Sequence, residues 1–164
     1  MVNNRVQKLR KSLASNNIDA ILISQADNRY YLSGFSGSSG FLLITDKKAV
    51  LGTDFRYTEQ ALAQAPDYEI LRITNSITDW LPELIKDLSV KKAGFEAEDL
   101  TFEMHRMLKS SLKKKGVPAE LIPVKGIAER LREVKESEEI VLIQKAVEIS
   151  DIAYEKIAIP SSRG

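Results

Sequence analysis

The sequence predicts an α/β fold: one mixed sheet with helices on both faces. Three observations carry that reading. Phe41–Thr45 and Ala49–Thr53 are strand-like runs separated only by Asp46-Lys47-Lys48, a connection so short that the two must pair antiparallel. Between residues 69 and 124, short apolar runs alternate with helical patterns, as parallel crossover connections require. Ala20-Ile-Leu-Ile-Ser24 is the short apolar run of a strand buried on both sides.

In chain order, Val6, Leu9 and Leu13 fall at helical spacing, and Asn16-Asn17 ends that first helix. The strand at 20–24 follows, then an aromatic turn at 28–33 and a loop with glycines at 34, 37 and 40 among serines. Glycine lets the backbone turn left-handed or approach another chain closely, so this spacing marks a shaped loop. After the hairpin the pattern predicts a helix over 56–65, a strand at 69–73, a helix over 78–88, a strand at 92–96, a helix over 101–114 and a strand at 119–124. Pro82 interrupts the pattern Ile77, Leu81, Leu84, Ile85, Leu88 and is tolerable if the helix begins near Thr78 or Asp79, leaving it in or just beyond the first turn. Gly116, just past Leu112-Lys-Lys-Lys115, is the glycine stop after a cationic last turn. A hairpin followed by crossovers is the order of ribonuclease H-like folds.

After Gly126 the character changes. A short helix over 127–134 precedes Ser137-Glu-Glu139, which reads as a cap with acidic residues in the first turn. The helix over about 138–158 carries Ile143, Ala146, Val147, Ile149, Ala153 and Ile157, more than one narrow stripe. Such a helix needs cover on more than one side, and Ile159–Gly164 is expected to trail off. The predicted organisation is therefore one domain over 1–126, with 127–164 forming a linker helix and the opening helix of a second domain.

Composition narrows the function. The 164 residues are 43% hydrophobic, enough for a sizeable core. Lys+Arg of 24 against Asp+Glu of 23 leaves a formal charge of +1, which offers no pull toward nucleic acid or an anionic membrane. With no cysteine, disulfides and thiolate metal sites are excluded, consistent with a cytoplasmic protein. No apolar run is long enough to span a bilayer, and the polar amino terminus has no signal-peptide core.

Few motifs carry chemistry. His105 is the single histidine, and a lone imidazole makes a poor metal centre. Glu96, Glu98 and Asp99 suit a hard cation, but capping the helix near 101 is the expected role. Gly34-Phe-Ser-Gly-Ser38 lacks the last glycine of a nucleophile elbow, and the spacing 34, 37, 40 fits neither a dinucleotide fingerprint nor a phosphate loop. The lysine pairs and the Lys113-Lys-Lys115 run lack interleaved aromatics and read as solvated faces. A two-metal nuclease would want acidic residues on the first strand, which has none. Asp54-Phe-Arg-Tyr57 is the constellation with chemical content, and two readings stand. Asp54 and Arg56 form a structural pair capping the helix at 56–65, or the Arg56 fork receives a carboxylate such as a peptide terminus.

Tyr31-Leu-Ser-Gly-Phe35, the Ser/Gly turn Phe35–Gly40, the hairpin and Asp54-Phe-Arg-Tyr57, in that order, resemble the creatinase-like amino-terminal domain of the Xaa-Pro peptidase family, aminopeptidase P and prolidase, the pita-bread metallopeptidases. Arg132-Glu-Val-Lys135, the glutamates after it and the helix with Ala146 and Asp151 resemble the junction into the catalytic domain. The resemblance implies a two-domain dimeric hydrolase that cleaves the bond before proline in Xaa-Pro dipeptides or peptide amino termini. Two divalent metals, Mn, Co or Zn, would be held by two Asp, one His and two Glu of a carboxyl-terminal domain, so residues 1–164 alone are expected to be inactive and to hold no metal. The same resemblance makes Phe35, Ser36, Gly37 and Ser38 the loop bordering the active-site mouth or the dimer interface, with Asp54, Arg56 and Tyr57 beside it. Some prolidases carry an acidic residue where this chain has Ser36. The alternative is a pseudo-peptidase that keeps the fold as a peptide- or protein-binding module.

Overall fold

The structure, a computed structural model, describes residues 2–161. Helix α1 (Val2–Ser15) leads into β1 (Ala20–Ile23), then α2 (Ala26–Ser33), β2 (Phe41–Thr45) and β3 (Ala49–Thr53). A 3-10 turn at Phe55–Tyr57 runs into α3 (Thr58–Gln64), followed by β4 (Glu69–Arg72), α4 (Ile77–Asp87), β5 (Lys92–Glu96), α5 (Phe102–Lys114) and β6 (Glu120–Val124). The chain closes with α6 (Glu129–Glu133) and α7 (Ser137–Ser161). The strands form one six-stranded sheet in the order β4-β3-β2-β1-β5-β6.

Antiparallel pairs join β1 to β2 and β2 to β3, and parallel pairs join β3 to β4, β1 to β5 and β5 to β6. Ile21 therefore sits opposite Ile44 on one side and Gly94 on the other. The hairpin loop is held by Thr45 Oγ1, which accepts from the amides of Lys47 and Lys48. At the open edges, β4 carries Glu69 and Arg72 and β6 carries Pro123, residues that discourage further strand pairing.

Strand alternation divides the core into two layers. Ile21, Ile23, Leu42 and Ile44 face one side with Val6, Leu9 and Leu13 of α1, Leu32 of α2 and Ala61 of α3. Ala20, Leu22 and Leu43 face the other, against Leu81 and Ile85 of α4 and Leu108 and Leu112 of α5. Ile127 and Ala128 are buried in the first layer.

Three local expectations change. Residues 28–33 are not a turn but belong to α2, whose start is capped by the Gln25 side chain accepting from Asn28 N at 2.7 Å and whose end is the left-handed Gly34, φ 77°. The expected helix at 56–65 begins instead as a 3-10 turn, because the Asp54 carboxylate holds Arg56 N at its entrance. Helix α4, by contrast, starts at Ile77, capped by Ser76, and Pro82 lies just beyond the first turn as expected. Residues 159–161 continue α7 where a trailing end was expected, and 162–164 lie outside the described residues.

By compactness the chain divides into two units, Met1–Leu131 and Arg132–Gly164. The sheet and both core layers belong to the first. Within the second, Ile143, Val147, Ile149, Ile152 and Ile157 of α7 are exposed. None of the described helices is long and apolar enough to cross a membrane.

Candidate functional site

The glycine-rich loop and the Asp54–Tyr57 turn come together through side-chain bonds. Gly34 turns the chain out of α2, and the Ser33 hydroxyl accepts from Phe35 N at 3.1 Å. The Phe35 ring is then driven into the core, 1% exposed. Gly37 lies directly on that ring, so a Cβ there would overlap the Phe35 ring atoms and only glycine fits. The ring meets Tyr57 edge-on, with centroids 6.1 Å apart.

With Phe35 as the plug, the loop's hydroxyls point outward. Ser36 and Ser38 are exposed. Gln64 Oε1 of α3 accepts from Ser36 N at 2.9 Å, and Gln60 Nε2 donates to Ser36 Oγ at 3.0 Å. Ser38 Oγ and the Tyr57 hydroxyl lie 2.7 Å apart. Thr53 Oγ1 at the end of β3 donates to Ser39 O at 2.7 Å. Every residue from Ser36 to Ser39 except the Gly37 side is thus tied to the β3–α3 segment.

Asp54 and Arg56 form the structural pair. The Asp54 carboxylate accepts from Arg56 N and Nε, each at 3.0 Å, and from Nη2 at 2.8 Å, a bidentate fork. Those bonds hold the Asp54 carboxyl down at about 2. The Arg56 guanidinium remains 60% exposed and lies 5.3 Å from the Tyr57 ring centroid. An incoming carboxylate would therefore meet a guanidinium whose Nε–Nη2 edge is already taken by Asp54.

Glu96 does not cap α5. Thr101 does, accepting from Met104 N at 3.2 Å. Glu96, buried at the end of β5, instead accepts from Ser24 N at 2.7 Å, Gln25 N at 2.8 Å and Asn28 Nδ2 at 2.7 Å, fastening the start of α2 to the sheet. Asn28 Nδ2 also donates to Glu129 Oε1. Burial raises the Glu96 carboxyl above its ordinary value, against the pull of these donors. Sequence reasoning passed over Asn28, Arg29 and Glu129. The signal available for Arg29 was a cation directly before the aromatic pair Tyr30-Tyr31 and the glycine-rich loop.

Two cavities flank these elements. One of about 230 Å³ lies at the carboxyl ends of β5 and β6, lined by Gln25, Glu96, Glu98, Asp99, Gly126 and Glu129. The other, about 540 Å³, is an open groove between α4 and α5. There Arg106 is paired with Glu103, and Lys115 with Glu83. Neither cavity includes a residue of the 35–57 constellation. Among the described residues no group of three or more His, Asp or Glu is placed to hold a metal ion, and His105 stacks on Phe95 at 5.2 Å.

Comparison with known proteins places this geometry. The family model described as "Creatinase/Prolidase N-terminal domain" matches residues 5–134. The uncharacterized peptidase YqhT of Bacillus subtilis is 35% identical over 153 residues, covering 93% of this chain and 42% of the relative. An Xaa-Pro dipeptidase from Bacillus anthracis superposes with a TM-score of 0.88 at 36% identity, over 96% of this chain and 43% of that one. The N-terminal domain of the cytoplasmic peptidase PepQ from Mycobacterium tuberculosis gives a TM-score of 0.71 at 39% identity, over 78% of this chain and 98% of the domain. The chain thus spans about two fifths of the length of the full peptidases it matches.

Proposed function

The chain belongs to the creatinase/prolidase N-terminal domain family, and on that premise we propose that it is the non-catalytic amino-terminal domain of a dinuclear-metal exopeptidase that hydrolyses the bond before proline. The observation that carries this reading is the agreement in fold and sequence with an Xaa-Pro dipeptidase over nearly the whole of this chain. Small proline-containing peptides are the substrates, from Xaa-Pro dipeptides to peptide amino termini. The cytoplasm is the compartment, supported by the absence of cysteine and by the likeness to a peptidase named as cytoplasmic.

The domain's role in this proposal is dimerisation and the shaping of access to the active site. The face that does so is the loop Phe35–Ser38 with the Asp54–Tyr57 turn, on the strength of its construction. Phe35 and Gly37 form a fixed base, and Ser36, Ser38, Arg56 and Tyr57 present hydroxyls and a cation to the outside. A rigid polar rim of this kind sorts small peptides by shape and terminal charge without performing chemistry.

The residues described here do not fit the two divalent metals that such a peptidase uses. Glu96 commits both carboxylate oxygens to backbone and amide donors, and His105 is stacked on an aromatic ring. The proposal accordingly assigns the metal ligands, for Mn, Co or Zn, to a carboxyl-terminal domain, and no reaction step to this chain.

The deciding experiment is hydrolysis of an Xaa-Pro dipeptide by the whole enzyme with added Mn²⁺ or Co²⁺, beside residues 1–164 alone. Turnover by the whole enzyme and none by this stretch is the expected result. Turnover by neither overturns the peptidase proposal and favours a binding module on the same fold.

A further inference from the structure

Arg29 occupies the middle of α2 and is 3% exposed. A buried guanidinium carries a desolvation cost that an apolar side chain of the same length would avoid. Here burial lowers its pKa, opposed by the charges of Asp99 and Glu96. What it gains is backbone. Nη2 donates to Gly37 O at 2.8 Å, and Nη1 donates to Gly40 O at 2.9 Å and, more weakly, to Ser24 O at 3.3 Å. Its Nε finds no partner among the described residues, so the side chain is placed for the loop and not for its own satisfaction. The two strong acceptors bracket Ser38 and Ser39, the part of the loop whose outer side is tied to Tyr57 and Thr53.

We propose that Arg29 is a positioning residue for the peptide entrance: its fork clamps the carbonyls of Gly37 and Gly40 from inside and so fixes where the Ser36 and Ser38 hydroxyls and Tyr57 stand. The inference rests on the reading that this loop borders the entrance. Arg29 itself touches no substrate. Lysine keeps the charge but supplies a point cation without a planar fork, so it separates a need for charge from a need for the fork. Glutamine leaves no buried charge and replaces the two-nitrogen fork by a single amide nitrogen on a shorter side chain, which keeps the question open to test should the lysine variant fail to fold.

The test compares Arg29→Lys and Arg29→Gln with wild type in the whole enzyme, by amide hydrogen exchange and by Xaa-Pro dipeptide kinetics. Exchange of the amides at 36–40 should quicken by about tenfold or more in both variants, with β1 and β2 unchanged. KM should rise by roughly three- to tenfold while kcat stays within about twofold, the split expected when binding geometry loosens and chemistry does not. Unchanged exchange at 36–40 in a folded variant overturns the clamp. Rescue by lysine overturns the fork, leaving only charge. Exchange that quickens through β1 and β2 as well overturns a positioning role in favour of general stability. Loosening confined to the loop with an unaltered KM overturns its bearing on substrate. Absence of hydrolysis in wild type instead overturns the peptidase proposal and the kinetic half with it, while the exchange pattern judges the clamp on its own.

Discussion

Glu96 is 6% exposed at the end of β5, and burial is the largest influence on its carboxyl. Its native pKa lies above the ordinary 4.5, so the folded state binds the Glu96 proton more tightly than the unfolded chain does. The stability that Glu96 contributes is therefore fully present below the unfolded value and is lost as pH rises through the native one. Glu96→Gln cannot ionise, so its stability relative to wild type should improve as pH rises from about 4 to about 7. Urea unfolding of both proteins across that range checks this, and parallel pH profiles would sink it. Asp54 has the opposite sign, its carboxyl held at about 2 by Arg56. Because Asp54 and Arg56 stand at the surface, solvent screens that contribution, and the pair acts chiefly as the cap of the turn at Phe55–Tyr57. Of the residues singled out from sequence, Tyr57 meets Ser38 and Asp54 pairs with Arg56, whereas Phe35 turns inward. Its direction follows from the packing of α1, α2 and α3, which no spacing within the loop encodes.

At the scale of elements, α4 shows how a local fault is repaired from outside. Pro82 has no N–H for the carbonyl of Thr78, four residues earlier. Ser111 Oγ of α5 donates to that carbonyl at 2.6 Å, and Lys115 Nζ donates to the next one, Asp79 O, at 2.6 Å. The two helices are thus joined by polar bonds above their shared apolar contact, in which Leu81 and Ile85 meet Leu108 and Leu112. Ser111→Ala should cost about 1 kcal/mol by leaving a partly buried carbonyl unpaired, and less than that in a Pro82→Ala background, where the helix supplies its own donor. A double-mutant cycle by urea unfolding measures the difference, and zero coupling would refute the repair. Helix α2 is the element that sequence periodicity failed to reveal. Its eight residues, including Asn28, Arg29, Tyr31 and Ser33, form a polar and aromatic interior instead of an apolar stripe. Asn28 and Arg29 are held by Glu96, Glu129 and the loop carbonyls, partners that lie 8 to 101 residues away in sequence.

For the whole molecule, both core layers and all six strands fall within Met1–Leu131. Residues 1–134 should therefore fold alone, with a cooperative urea transition at the same midpoint as residues 1–164. Loss of a cooperative transition would show that the second unit is needed for the first. The amino-terminal domain of the Mycobacterium tuberculosis peptidase, a structure matched over 98% of its own length, supports that expectation. Short-range pattern alone determined the α/β class, the antiparallel β2–β3 hairpin, the crossovers from β4 to β6 and the glycine stop at Gly116, because turn length, hydrophobic period and capping are properties of neighbouring residues. An ordered series of motifs likewise determined the family. Tertiary structure alone decided that β1 pairs antiparallel with β2 across a helix, that Glu96 serves α2 and not α5, and that Arg29 fastens the loop. Those outcomes depend on which buried donors and acceptors meet once the sheet has closed. A buried polar group must find a partner wherever the fold brings one, and sequence distance does not enter that choice.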